Sequence, residues 1–485
     1  MKIRVTMPAG IRSAHGFDTA LLEALFWESG KCITVVNLLT GLRHHLSKSA
    51  SDELDDLCNQ LRRLRRAMLG FADLFPLHKE AIHTCLNHLD ITLPSVSKTL
   101  DDIQRHCHAQ YSFADGAWDR LIMDMTTGRR RRLELWDRFE LYTDFFENLF
   151  SAMIQCPKFD WIKAEGLRVK ILDLREDQGM KIPKDLPTVF VPFNQLPAAR
   201  ARRRSFVNHW AIDTVDRKPK MMSPFIEICN SNSFGPYTQW NLLGIPEKSK
   251  LIFRRSFNND QLALIIFIND VDKLPYAVIR TTYESGLPWY ECRPLGKIRI
   301  MRNETKIHLS RWSYGQDCFV HWGVFHFRFF EELVVTQCTL LALKAHASLL
   351  PDALSYDESI FRDDSKIWEK DIIDGGVRHK LAIYRDNLTA TKRLYACVAR
   401  GERLQAYCPA WTIFFTDRKA KPQLECIGDF KLIIYNAVLY TFGDRYLTTR
   451  HDARRFEISF KYDQDNRQLK YLLDESFKAL QSQRE

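Results

Sequence analysis

Four arginines crowd the segment ARARRRSF, as Arg200, Arg202, Arg203 and Arg204, and Arg217, Lys218 and Lys220 follow closely. Cations at this density can contact an acidic surface or act as a nuclear-import signal. Nucleic acid is not an expected partner there. It would call for cations interleaved with stacking aromatics on a sheet or groove, and only Phe206 and Trp210 stand near. A second run, Arg129 to Arg132, follows Gly128 and leads into Leu135, Phe139, Tyr142, Phe146, Leu149 and Met153, spaced by alternating fours and threes. The spacing predicts a core helix whose polar side carries Arg130, Glu134 and Arg138 along one exposed face. His106 and His108 have metal-ligand chemistry. Two residues apart on a helix, they project about 200° from each other and cannot share one ion directly. Neither a metal nor a cofactor is expected.

Enzyme motifs are lacking as well: there is no GxxxxGK[ST], no GxGxxG and no GxSxG. A non-catalytic protein is the expectation. The 12 cysteines are scattered without a CxxC pair, as suits reduced thiols inside a cell. The segment MKIRVTMPAGIRSAHGFDT has no apolar signal-peptide core. The longest candidate apolar helix, Phe329 to Leu350, has an uncharged core, Leu333 to Leu343, too short to cross a bilayer. These features predict a cytoplasmic protein. Import through the arginine cluster would make it nuclear, and lipid binding would place it at the membrane periphery.

The net charge of +10 is unevenly spread. Residues 1–178 carry 24 Lys+Arg against 25 Asp+Glu, whereas residues 179–248 carry 10 against 5 and residues 249–350 carry 13 against 9. The positive excess sits mid-chain.

The elements that must position these groups follow from periodicity. Residues 1–178 read as an α-helical bundle of six to eight helices. Leu54, Leu57, Leu61, Leu64, Met68, Phe71 and Phe75 form three heptads of a coiled-coil seam, with Ser49 or Ser51 as the cap. The seam suits a helix from a partner or from the bundle itself. Pro76 and Pro94 each read as the start of a helix. Residues 179–248 hold eight of the 18 prolines among aromatics and predict a basic connector packed along a domain surface. From residue 249 the period becomes two: seven strands and an amphipathic helix over 249–350, a linker over 351–372, then seven strands and a helix again over 373–485. The chain is thus α+β and multidomain, with two seven-stranded β-barrels each closed by a C-terminal helix.

This repeated order resembles tandem pleckstrin-homology-like (PH-like) domains. RWS at Arg311–Ser313, FFEELVVTQCTLLALKA, RHKLAIYRD and CPAWTIFF, with the helical segment DLCNQLRRLRRAMLGFADLF, also resemble a group of uncharacterised filamentous-fungal proteins. That likeness brings no catalytic residue with it. Neither closing helix has the tryptophan often found there in PH-like domains. The PH resemblance implies a head-group site for phosphoinositides on the first two strands of a barrel. In the second barrel Lys380, Arg385, Lys392 and Arg393 fall on those strands. In the first, Arg254 and Arg255 are adjacent and point to opposite faces. Two functions follow as expectations: a scaffold or adaptor binding other proteins through the bundle and barrels, or recruitment to an anionic membrane through those four cations.

Overall fold

In the computed structural model, the described residues are 14–109, 114–126, 133–181 (but for 155, 157 and 158), 209–217, 223–225, 232–236, 245, 249–347 (but for 283–287 and 314), 363–398 (but for 375 and 376), 408–415, 423–444 (but for 429), 455–460 and 465–473. They fall into two compact units, one holding residues 1–206 with two short β-domain segments, the other holding most of residues 207–485.

The first unit contains α1 (Ala14–Leu42), α2 (Lys48–Ala72), α3 (Lys79–Ala109), α4 (Ala114–Thr126), α5 (Leu135–Met153) and α6 (Trp161–Asp177). The whole heptad seam of α2 is buried, and α2 packs on α1 and α5. Its apolar stripe is therefore consumed within the bundle. The cap is Ser47, whose Oγ accepts from the Ala50 N–H, rather than either serine expected from the sequence. The stripe of α5 is buried from Leu135 to Met153, and the Phe71 ring packs against both Phe75 and Phe146. Arg138 departs from expectation. It is buried and its guanidinium donates to the Met125 carbonyl, near the end of α4 where helix carbonyls have no internal partner. Arg129 to Arg132 lie outside the described residues.

Pro94 does not start a helix; it sits in the middle of α3. A proline there removes the N–H that Asp90 would receive, and its ring pushes the preceding turn open. The freed carbonyls are taken up by Arg175 of α6, whose Nη1 donates to Asp90 O (3.0 Å) and Ile91 O (2.7 Å) while Nη2 reaches Lys181 O (3.1 Å). One turn further on, Ser95, Thr99, Tyr142 and Gln178 form a closed hydrogen-bond group, with Ser95 Oγ 2.8 Å from the Tyr142 hydroxyl.

The second unit opens with α7 (Trp210–Asp216) and continues with β1 (Ser249–Phe257), β2 (Leu262–Asn269), β3 (Pro275–Thr282) and β4 (Pro288–Pro294) in one sheet. A second sheet holds β5 (Ile298–Asn303), β6 (Lys306–Ser313) and β7 (Cys318–His326), followed by α8 (Phe330–Ala347). The connector is anchored to this domain. Phe234 pairs with Val324 at the edge of β7, and Ser233 exchanges a hydrogen bond with the Asn258 side chain. Gly235 is required here, because a Cβ would come within 2.7–2.8 Å of Leu262, Ile279 and Thr281 side chains. Gly235→Val should therefore lower stability by about 1–3 kcal/mol through overpacking, read as a shifted denaturation midpoint.

The remaining strands are β8 (Asp364–Asp374), β9 (Val377–Asp386), β10 (Lys392–Val398), β11 (Pro409–Phe414), β12 (Gln423–Ile427), β13 (Lys431–Tyr435), β14 (Leu439–Thr441) and β15 (Arg455–Phe460). They form one sheet ordered β12-β13-β15-β8-β9-β10-β11-β14. Helix α9, residues 465–473, buries Leu469 and Leu473 against it. Two expectations change. Among the described residues the first domain has its seven strands in sheets of four and three, and the second has eight strands in a single sheet; neither set closes into a barrel. The extra strand, β8, begins in the segment read as linker. A bulge between Lys366 and Trp368 breaks its alternation, so its apolar residues do not recur every second position. From β8, the Trp368 indole donates to Gln468 of α9 at 3.1 Å, so a tryptophan reaches the closing helix from a strand.

Candidate functional site

Strand alternation decides where the four cations of the β9–β10 hairpin go. In the register of the pair, Arg385 lies opposite Lys392 and Tyr384 opposite Arg393. Arg385 and Lys392 thus share the face of Leu381, Ile383, Leu394 and Ala396, which builds the second domain's own core. Lys380 and Arg393 share the other face with Ala382, Tyr384, Tyr395 and Cys397, whose core continues into the first domain. The four do not converge on one point. Lys380 is half-exposed and pairs with Glu369 at 3.1 Å.

Arg393 corrects the sequence reading most sharply. It is 1% exposed. Its Nη2 donates to Asp364 Oδ2 at 2.6 Å, and its guanidinium lies over the rings of Tyr384 (5.3 Å) and Tyr395 (5.1 Å). Burial opposes its charge, but the adjacent Asp364 carboxylate outweighs that and holds its pKa above the ordinary arginine value. Arg302 of the first domain completes the group. Its Nη1 donates to Asp364 Oδ1 at 2.7 Å, its Nη2 to Asp386 Oδ1, and its Nε to the Glu304 carbonyl. The second Asp386 oxygen accepts from the Thr389 N–H and hydroxyl. Two arginines and two aspartates, all buried, link the two β domains.

Helix α8 forms the apolar part of the same junction. From Phe330 to Ala345 every residue but Glu332 is buried. Sequence periodicity assigns α8 one apolar face, yet a helix covered on one side by its own domain and on the other by β11 has no polar face to keep. Phe330 meets the Phe414 ring edge-on and also lies beneath the Arg302 guanidinium. Its buried Glu331 accepts from the Ser223 N–H (2.7 Å) and hydroxyl (3.0 Å), which uses the first turn's affinity for a carboxylate to tie down the connector. On the far edge of the sheet, Thr214 and Arg217 donate to the carbonyls of Thr441 and Leu439, and Trp210 packs on Phe442. The connector is anchored at both β domains.

Other candidates separate. Arg255 pairs with Glu332 and lies over Phe327, and Arg254 points the other way along β1. His106 is 3.6 Å from Asp124, and among the described residues no cluster of three ligand-type side chains could hold a metal ion. No helix among them is long and apolar enough to cross a membrane. Arg200, Arg202, Arg203 and Arg204 lie outside the described residues. Sequence reasoning missed Arg302, Asp364 and Asp386. The available signal was a charge at an inward position of an alternating strand, Ile298-Ile300-Arg302, which implies a buried partner.

Two consecutive β domains, each followed in the chain by a helix packed on its sheet, have the element order of tandem PH-like domains, and a helical unit precedes them in sequence. The comparisons agree: residues 238–361 match the family described as a PH domain found in tandem in fungal proteins, and residues 365–478 match a second family of the same description. Together these two matches span the C-terminal half of the chain. No curated protein matches the chain.

Proposed function

We propose that the chain is a non-catalytic scaffold that works inside the cell and binds other proteins through its tandem PH unit. The observation that carries this reading is the junction. Packing Arg393 between the domains removes one of four cations from the hairpin, and alternation sends Lys380 to the opposite face from Arg385 and Lys392. A polyphosphorylated head group needs several donors converging at once, whereas a protein partner does not. Burial of the α2 seam also directs attention from the bundle's heptads to the β domains.

A peripheral-membrane reading rests on what remains, Arg385 opposite Lys392. Like charges facing each other across a strand pair repel, and an anion between them would relieve that. Flotation of the full chain with phosphoinositide-containing liposomes separates the two. Under the scaffold reading the protein stays in the soluble fraction at physiological salt. Flotation that is lost on Arg385→Glu with Lys392→Glu would replace it with the membrane reading. Affinity capture from the fungal host is the direct test of the scaffold: no reproducible protein partner would overturn it.

A further inference from the structure

The seam of α2 is spent inside the bundle, but α1 carries a second three-four series on its outer side. One turn after Glu23, the residues Trp27, Gly30, Thr34, Asn37 and Gly41 follow at spacings of three, four, three and four, and all six are exposed. Helix faces turned to water ordinarily carry charge. Glu23 is the only charged residue of this series, and Trp27, a residue type that folding usually buries, is 62% exposed. Thr34 Oγ1 donates to the Gly30 carbonyl at 3.4 Å, so its hydroxyl does not depend on water for a partner. A Cβ at Gly30 or Gly41 would meet no atom within 4 Å, which makes both glycines notches open to the outside.

From this series we infer that the outer face of α1 is a self-association surface, on which a second copy of the chain packs its own α1 antiparallel about a two-fold axis near Thr34. The order of the residues favours a second copy over a foreign helix. Trp27 lies seven residues before Thr34 and Gly41 seven after it, so the axis brings each copy's Trp27 over the other's Gly41. The bulkiest side chain of the series then meets an open notch, twice over. A parallel pair would instead set Trp27 against Trp27 and Glu23 against Glu23.

Charge agrees with the antiparallel order. Glu23 stands eleven residues before Thr34, while Arg43 and His44 stand nine and ten after it, so each copy's carboxylate meets the other's basic end. His44 is exposed, and Arg43 keeps half of its side chain in water although it pairs with Asp55 at 2.7 Å. From Glu23 to Gly41 the face is about 27 Å long, small for a protein interface, so the dimer is a reversible one in the micromolar range. The inference goes beyond the scaffold reading and does not rest on it. Two copies joined through α1 would present two tandem PH units to one target, which raises avidity without any new contact.

The test is sedimentation velocity of the full chain from about 1 to about 100 μM, which spans that range. The wild type should pass from monomer to dimer across the series. Gly41→Leu fills the notch and replaces a helix glycine with a better helix former. It should weaken the dimer about tenfold or more while holding or raising the melting temperature, so a lost dimer is not a lost fold. Trp27→Ala should weaken association in the same way. Glu23→Arg and His44→Glu should each weaken it, and the two together should restore it, because the swap returns opposite charges to the ends of the antiparallel pair. A chain that stays monomeric throughout overturns the assignment. So does a dimer indifferent to both Gly41→Leu and Trp27→Ala, or one that the charge swap does not restore. A monomer that captures a host protein only while Gly41 is intact overturns it as well, since a foreign helix then fills the face.

Discussion

Arg302→Met should cost the tandem PH unit about 3–5 kcal/mol, because it leaves two buried carboxylates without the cation between them. Among the described residues the Arg302 guanidinium bridges Asp364 and Asp386, and both acids are buried. The variant keeps side-chain length and the contact with Phe330, so lost packing contributes little. Equilibrium denaturation followed by tryptophan fluorescence should show a lower midpoint for the second unit. A companion variant separates charge from shape: Asp364 keeps Arg393 as its partner, so adding Asp386→Asn alone to Arg302→Met removes the carboxylate left without a cation and should recover a large part of the loss. A single-variant loss below about 1 kcal/mol, the range of exposed pairs, would mean that the network is wet and the junction weak. Arg393→Glu, attractive as a lipid-binding test from the sequence alone, would instead place a third carboxylate beside Asp364 and report on folding.

Arg175→Met is expected to destabilise the helical unit by about 2–4 kcal/mol, since removing one donor strands up to three backbone carbonyls in a largely buried place. The cause lies in α3. Pro94 withholds a helix hydrogen bond, and Arg175 supplies the replacement from α6. The physical claim is therefore conditional on the proline. Pro94→Ala restores an N–H for the Asp90 carbonyl, so in the Arg175→Met background it should return about 1 kcal/mol or more. If Pro94→Ala is equally neutral or harmful with Arg175 present and absent, the arginine is not compensating for the proline. Circular dichroism melts of the four chains of this cycle decide the matter.

Much of the fold was legible because it is written in local periodicity. Three-four spacing marked α2 and α5, and strict alternation marked β15, where Phe456, Ile458 and Phe460 turn inward. Element order is a property of neighbouring residues, so a linear reading reaches it. Where a local rule was broken, the reading slipped: the bulge hid β8, and Pro94 read as a helix start although a distant arginine lets the helix continue through it. The candidate site was the least legible part. Lys380, Arg385, Lys392 and Arg393 look alike in one dimension.

By itself, then, the sequence determined a helical region followed by two sheet-rich repeats, a mid-chain positive excess and a connector with aromatic anchors, because each depends on composition or short spacing. Only the tertiary structure decided which charges are available. Whether an arginine meets a ligand or a buried aspartate depends on residues such as Arg302, Asp364 and Asp386, brought together over sequence separations of 62 and 84 positions. Likewise α8 became a shared core helix only because a second sheet covers the side that a lone domain would leave in water.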